Sequence, residues 1–314
     1  MKIIVSPANY KIIGHLVRKT NVDIIQVGIK NFSDKTTCLL NATQLKIVIN
    51  LTKKHHKQIF VYLDAFYYEQ DLSKLTKLLV WLNELKVDAI VFNDLAINQI
   101  CYEQKLNLKL IYDPKALVTN YGQFNFYLKN NISGVVIANE LKQYEVNELL
   151  ANKKQIKIIK QVSGYVFMMQ SRWDLVSLFL EQNKLEYHIK DQKLWIKEEL
   201  RPFPSLIFEN KYGTHIYTGY VLSNLHYLQH LFNQGLDYVY IDGLMHEDNW
   251  LIKTINIYDQ AIKLIKNKQS IEELIHQEKA LNKDEVVSSG FISNKLTDLM
   301  YLNDDLLKGV NNEK

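Results

Sequence analysis

Short runs of consecutive apolar residues recur along this chain, and between them lie stretches whose apolar positions fall three and four apart. The runs are Ile3 to Val5, Asp23 to Ile29, Gln58 to Leu63, Ala89 to Phe92, Leu108 to Tyr112, Gly134 to Ala138, Ile156 to Val162 and Tyr238 to Ile241. Consecutive apolar residues mark strands covered on both faces, whereas a strand with one wet face would alternate. Strands that alternate with helices predict a parallel sheet joined by helical crossovers. Eight of them predict an α/β TIM-like (β/α)8 parallel barrel. Among the crossovers, Asp71 is placed to cap a helix whose Leu72, Leu75, Leu78, Leu79 and Leu82 form one stripe, and Glu140 to Leu150 starts another.

The residues that follow the runs are polar: Ser6-Pro7-Ala8-Asn9, Gly28, Asp64, Asn93-Asp94, Asp113, Asn139-Glu140, Ser163-Gly164 and Asp242-Gly243. In a parallel barrel the C-terminal strand ends converge on the face that carries the active site. Any one of these residues has an alternative use as the cap of the next helix.

One crossover breaks the rhythm, with about 75 residues between the seventh and eighth runs where a minimal crossover needs a dozen. Part of it reads as β-structure. Leu185 to Ile189 and Leu194 to Lys197 flank the turn Lys190-Asp191-Gln192, and Ser205 to Glu209 and Thr214 to Thr218 flank Asn210-Lys211-Tyr212-Gly213, which predicts two hairpins. Val221 to Phe232 then reads as helical, and Trp250 to Lys266 and Ile271 to Leu281 as closing helices. The expected division is a barrel over 1–282 with a β-rich insertion at about 184–218, and a partly disordered extension over 283–314.

Composition narrows the class. Of 314 residues, 47% are apolar and 23% charged, enough for a large core. No window reaches the roughly 18 apolar residues of a membrane span, and Met1 runs directly into Ile3-Ile4-Val5 without the pattern of a secretory leader, so a cytoplasmic location is expected. The net charge of +4 comes from scattered basic residues and defines no nucleic-acid footprint. Cys38 and Cys101 are far apart and in no paired motif, which predicts buried, reduced thiols.

The segment from Gly164 to Ser177, GYVFMMQSRWDLVS, carries a recognisable order of residues. It resembles, without gaps, the segment typical of the U-thirty-two family of collagenase-like peptidases. Gly164, Ser171 and Ser177 fit that pattern, while two of its cysteine positions hold Phe167 and Asp174. Further similarity lies at Thr119-Asn120, Ala138-Asn139-Glu140, Glu199-Leu200-Arg201 and Glu209 to Ile216 with its core Gly213-Thr214-His215. The chain looks like the short, cysteine-free branch of the family.

The resemblance implies two activities. One is collagenase-like proteolysis; the other is hydroxylation of RNA, notably formation of 5-hydroxyuridine at the tRNA wobble position with a prephenate metabolite, by relatives that carry an iron-sulfur cluster on four cysteines. Two cysteines cannot supply such a cluster, so the cofactor expected is none on cysteine ligands, with a prephenate-like metabolite as the small molecule. The expected partners are tRNA and a longer family paralogue.

The residues themselves show no Gly-x-Ser-x-Gly elbow, no His-Glu-x-x-His, no Walker loop and no Gly-x-Gly-x-x-Gly. His226 and His230 are spaced as a one-face metal pair, although nothing completes a motif, and no metal is expected. Arg172, Arg201 and His215 are candidates for gripping a carboxylate or phosphate, the alternative for Arg172 being a salt bridge to Asp174 or Glu199. Glu140, Asp94 and His215 are the acid-base candidates, the alternative for the two carboxylates being helix capping. Asn120, Ser171 and Thr214 complete the expected substrate contacts. Tyr165, Tyr121 and Phe126 are either base-stacking rings or packing beneath the inserted hairpins. Asp94, Asn120, Glu140, Ser171, Arg172 and His215 are expected to line the C-terminal mouth of the barrel, with the inserted hairpins as its cover.

Overall fold

A computed structural model describes residues 1–189, 192–197 and 204–293, and in it all eight apolar runs are strands of one closed barrel. The strands are β1 (Lys2–Ser6), β2 (Ile24–Ile29), β3 (Leu39–Leu40), β4 (Gln58–Leu63), β5 (Ala89–Phe92), β6 (Leu110–Tyr112), β7 (Ile132–Val136), β8 (Lys157–Ser171), β9 (Leu194–Ile196), β10 (Ser205–Asn210), β11 (Gly213–Ser223), β12 (Tyr238–Asp242) and β13 (Val287–Ser288). Neighbours run β12-β1-β2-β4-β5-β6-β7-β8, all parallel, and pairing of Tyr238 with Ile159 closes the ring between β12 and β8.

Strand alternation sorts the apolar residues into two layers. Ile4, Ile24, Phe60, Val91, Ile111 and Ile159 fill the barrel interior. The intervening residues face the helices: α1 (Tyr10–Lys19), α2 (Ala42–Lys54), α3 (Leu72–Leu85), α4 (Leu95–Glu103), α5 (Phe124–Lys129), α6 (Gln143–Ala151), α7 (Leu175–Gln182), α8 (Leu228–Asn233), α9 (Asp248–Lys266) and α10 (Glu272–Leu281). On α3 the expected stripe is the buried face, through Leu75, Leu78, Leu79 and Leu82. Asp71 does not cap that helix; its carboxylate accepts the Tyr68 amide at 3.1 Å and tightens the turn before it. Asn9 caps α1, and Asn41 with Gln44 forms a reciprocal capping box on α2.

The insertion departs from the expected layout. β8 overruns the barrel: near Ser163 it leaves the side of β12, and its remainder to Ser171 pairs antiparallel with β11. Gly164 permits the departure, since its φ is +102° and a Cβ there would lie 2.3 Å from the Asp242 carbonyl oxygen. Among the described residues only one of the two predicted hairpins forms, β10–β11; Lys190 and Asp191, in the predicted turn of the other, lie outside them. Leu185 to Ile189 is not a strand, because β9 takes β10 as its partner, with Leu194 opposite Ile207. Val221 to Ser223, expected to be helical, extends β11 and is held from both sides by β8 and β13. The helical part begins only with the turn Leu225–Tyr227 and α8. The antiparallel region thus starts in β8 and ends at Ser223, wider than the expected 184–218, and part of the expected C-terminal extension is bound to it through β13. Among the described residues no helix is long and apolar enough to cross a membrane.

Candidate functional site at the barrel mouth

Period-two alternation carries the interior face of each strand to its C-terminal end. Tyr62, Ile111 and Tyr240 point into the barrel, so Asp64, Asp113 and Asp242, two positions further on, point into its mouth. All three are buried. Asp64 accepts the amides of Asp34 (3.0 Å) and Lys35 (3.3 Å), from the loop after β2. The Lys35 ammonium donates to Asp34 at 2.9 Å and to the Asp64 carbonyl at 2.6 Å. Asp113 accepts the Tyr62 hydroxyl at 2.9 Å and pairs with Lys115 at 3.1 Å, whose ammonium lies 4.8 Å from the centre of the Tyr62 ring. The Leu244 amide donates to Asp242 at 3.0 Å.

Four carboxyls and two ammoniums therefore share one enclosed space, and burial governs their protonation. It pushes Asp64 well above the usual carboxylate range, against the pull of Lys35, and raises Asp242 to about 6, against the pull of Lys115. Burial alone would lower Lys115, but Asp113, Asp64 and Asp242 outweigh it and the lysine is raised. Outside this cluster, buried Lys160 on β8 is lowered to about 8 by desolvation, which Glu140 partly offsets.

The overrun of β8 and the β10–β11 turn cover the mouth. Gln170 donates its amide to Asp34 at 2.8 Å, Asn210 donates to the Asp34 carbonyl at 3.2 Å, and the Tyr217 hydroxyl donates to the Lys35 carbonyl at 3.1 Å. His215 is fully buried, stacked 4.9 Å from Phe208, with Nε2 3.2 Å from Asn210 Oδ1 and Nδ1 without a partner. Desolvation lowers its pKa to about 4, so it is neutral at pH 7. A second mouth histidine, His246 after β12, is sandwiched between Tyr165 (4.7 Å) and Trp250 (3.6 Å) and lowered to about 3 by burial.

The residues singled out from sequence fall into two groups. Ser171, Arg172, Thr214 and His215 come together on the cover. Ser171 Oγ accepts the Trp173 amide at 3.1 Å, and Thr214 Oγ1 donates to the Trp173 carbonyl and accepts the Leu175 amide, both at 2.8 Å. Arg172 is exposed, its guanidinium 4.4 Å from the Tyr68 ring centre, and among the described residues it forms no salt bridge to Asp174. Asp94, Asn120 and Glu140 sit instead on three separate loops of the barrel. Asp94 caps α4 by accepting the Ala96 amide at 2.9 Å; Asn120 and Glu140 are exposed. Arg201 and Glu199 lie outside the described residues. Tyr165 is buried in the stack with His246, whereas Tyr121 and Phe126 are open to solvent and do not pack beneath the cover.

The segment that carries the family resemblance is a structural knot. Gly213 has a φ of +104°, and a Cβ there would lie 2.0 Å from the Ser171 carbonyl oxygen. Glu209 accepts the Val176 amide at 3.0 Å and the Ser177 amide at 3.3 Å, and the Ser177 hydroxyl also donates to it, which fixes the start of α7. Sequence reasoning named Asp64, Asp113 and Asp242 as strand ends but did not choose them, and it passed over Asp34, Lys35, Lys115, Gln170 and Tyr212.

A four-thiolate cluster does not fit this donor set. Phe167 packs 5.5 Å from Tyr217, Asp174 is exposed at the start of α7, and the chain's two thiols are buried on other elements. Burial pushes Cys38 up to about 12 and Cys101 up to about 11, away from thiolate chemistry. His230 bonds Asn147 at 2.7 Å, and no group of three His, Cys, Asp or Glu side chains among the described residues is placed to hold a metal.

The chain is 28% identical over 229 residues to tRNA hydroxylation protein P2 of Bacillus subtilis, covering 71% of this chain and 74% of that one. It is 26% identical over 165 residues to the uncharacterized protease MJ0090 of Methanocaldococcus jannaschii, covering 52% of this chain and 40% of that one. The solved structure of the U32 peptidase Mk0906 aligns with a TM-score of 0.49 at 13% identity, over 77% of this chain and 92% of that one. Residues 14–300, which include every mouth and cover residue described above, match the profile of Peptidase family U32, the U-thirty-two family, and the chain belongs to it.

Proposed function

We propose that this chain takes part in hydroxylation of tRNA wobble uridine to 5-hydroxyuridine, working as a subunit or paralogue of a longer, cluster-bearing relative. The observation that carries this reading is the similarity to tRNA hydroxylation protein P2, which extends over about three quarters of both chains. The mouth supports it chemically, because its histidines are held neutral and both of its ammoniums are already paired with carboxylates, an environment suited to a neutral heterocycle. A prephenate-like dicarboxylate would engage Arg172 at the rim, since Lys35 and Lys115 are both committed to carboxylates.

Peptidase activity is the second reading, favoured by the similarity to the archaeal protease. Against it, both thiols are buried with raised pKa and Ser171 accepts a backbone amide, so neither is set up as a nucleophile. Nucleoside mass spectrometry of tRNA from a deletion strain separates the two. Loss of 5-hydroxyuridine derivatives, restored by the intact gene, is expected; unchanged tRNA together with peptide cleavage by the purified protein would reverse the ranking.

A further inference from the structure

The mouth beneath the cover holds a ring of unused acceptors whose identity the hydrogen bonds determine. Asn93 donates its amide to the Asp64 carbonyl at 2.9 Å, and a carbonyl can only accept, so Oδ1 is the free end. Gln170 donates to the Asp34 carboxylate, which leaves Oε1 free in the same way. His215 faces Asn210 Oδ1, an oxygen that already accepts the Tyr212 amide at 2.8 Å, so Nε2 carries the hydrogen and Nδ1 presents a lone pair. These three atoms and the Tyr212 hydroxyl are buried and have no partner. Buried polar atoms in that state are uncommon, and together they call for a ligand that supplies hydrogen-bond donors.

Three classes of ligand can be weighed. A dicarboxylate would meet three lone pairs beside Asp34 and Asp64, an arrangement that repels it. A metal ion would compete with the Lys35 ammonium, which already occupies the space between Asp34 and the Asp64 carbonyl. A neutral planar group with an N–H flanked by carbonyls, as on the edge of uracil, can donate to one of the acceptors while the remaining N–H of Lys35 and the unpartnered Tyr212 hydroxyl donate to its carbonyls. The β4–α3 loop, which reaches the cage through Phe66, and the end of β8 expose aromatic rings. Phe66 is 47% exposed with the Lys35 ammonium 5.0 Å from its ring centre; Tyr68 is 40% exposed beneath Arg172; Trp173, next in sequence to Arg172, is 70% exposed. Open aromatic faces beside cations are stacking platforms for bases of single-stranded nucleic acid.

We infer that the space between the β4–α3 loop and the overrun of β8 holds one unstacked nucleobase of single-stranded RNA, its face on the Tyr68–Trp173 rim and its polar edge toward the Asn93, Gln170 and His215 acceptors. This rests on the RNA reading above and adds to it the place and the mode of contact. The base supplies the selectivity and the surface lysines only the attraction.

The test compares two fluorescently labelled stem-loop RNAs bound to the full-length protein, one with an unpaired uridine in the loop and one with an abasic sugar at that position. The abasic loop is expected to bind about tenfold more weakly, and Tyr68→Ala and Trp173→Ala each to weaken the uridine loop by about five- to tenfold while leaving the abasic loop unchanged, so that the difference between the two RNAs shrinks or disappears. Both rim residues are exposed, so circular dichroism should show unchanged folding. The slope of affinity against salt should stay constant in these variants, since the phosphate contacts remain. Equal binding of the two RNAs by wild-type protein overturns the base site while leaving the role in tRNA hydroxylation standing on the cellular assay. An RNA that does not bind at all overturns it too, and unchanged 5-hydroxyuridine in the deletion strain is the separate result that removes the function.

Discussion

The barrel and its cover are stabilised in opposite ways. Each barrel strand is buried on both faces, and the crossover helices bury a stripe, as α3 does through four leucines. The cover buries only the surface turned toward the mouth. Its helix α7, LVSLFLEQ, has no buried residue, and Met169, Trp173, Phe179 and Tyr187 around it are more than half exposed. The barrel is therefore held by packing, whereas the cover is held by backbone pairing and side-chain bonds at one seam, where Gly213, Thr214 and Glu209 meet the end of β8. Apolar composition alone does not predict stability; a leucine contributes when something is packed on it.

Two glycines give the comparison its strongest test. Gly164→Ala places a methyl group 2.3 Å from the Asp242 carbonyl at a positive φ, where β8 parts from β12 inside the barrel. A loss of about 4 kcal/mol or more is expected, from strain together with overpacking, and should show as a global drop in urea stability. Gly213→Ala is as tight locally, but it acts on the seam of the cover. Hydrogen exchange should then accelerate in α7 and β9–β11 while β1, β2 and β4 keep their protection. If both variants unfold the whole chain in one step, the cover and barrel are one cooperative unit and the contrast fails.

The contrast also explains what was legible in the sequence. The barrel strands were, because burial on both faces leaves a mark in composition, whereas the cover's strand pairing depends on which edges meet. Nothing in Leu185 to Ile189 signals that β9 will pair with β10, or in Val221 to Ser223 that β13 will hold it extended. At the mouth the strand-end rule found Asp64, Asp113 and Asp242, but the choice then fell on Asp94 and Glu140. Alternation decides between neighbours: Asn93 stays in line with Val91 and bonds inside the mouth, while Asp94, one step on, turns to cap α4. Lys35 and Lys115 lie in loops whose path no local pattern specifies, so only the folded chain brings them to the carboxylates.

A smaller effect is expected from the carboxyl that joins the two regions. Glu278 of α10 is buried, accepts the Ser223 hydroxyl at 2.5 Å from the end of β11, and is raised to about 7 by desolvation. With an ordinary value near 4.5, the unfolded chain releases this proton first as pH rises, so the native state holds more protons between these values and loses stability across that window. The loss relative to Glu278→Gln should reach about 3 kcal/mol above pH 7 and vanish near pH 4, each pH unit of separation being worth about 1.4 kcal/mol. Denaturant melts of both proteins across this range check it. Parallel curves would mean that Glu278 is ionised in the fold and that its environment is wetter than its burial suggests.

The smallest effect is the sharpest statement of the contrast, because it uses the same substitution in both regions. Leu79→Ala in α3 removes a fully buried side chain and leaves a cavity between helix and barrel, at a cost of about 2 to 5 kcal/mol. Leu178→Ala in α7 removes the same atoms from a helix with no buried residue, where little transfer energy is lost and alanine is the better helix former. Its effect on stability should stay within about 0.5 kcal/mol in either direction. Thermal unfolding of the two variants at one dilute concentration measures the difference directly. A Leu178→Ala loss close to that of Leu79→Ala would mean that α7 is covered in solution, by another part of the chain or by a second copy. Raising the protein concentration then distinguishes these, since only self-association makes the wild-type melting temperature depend on concentration.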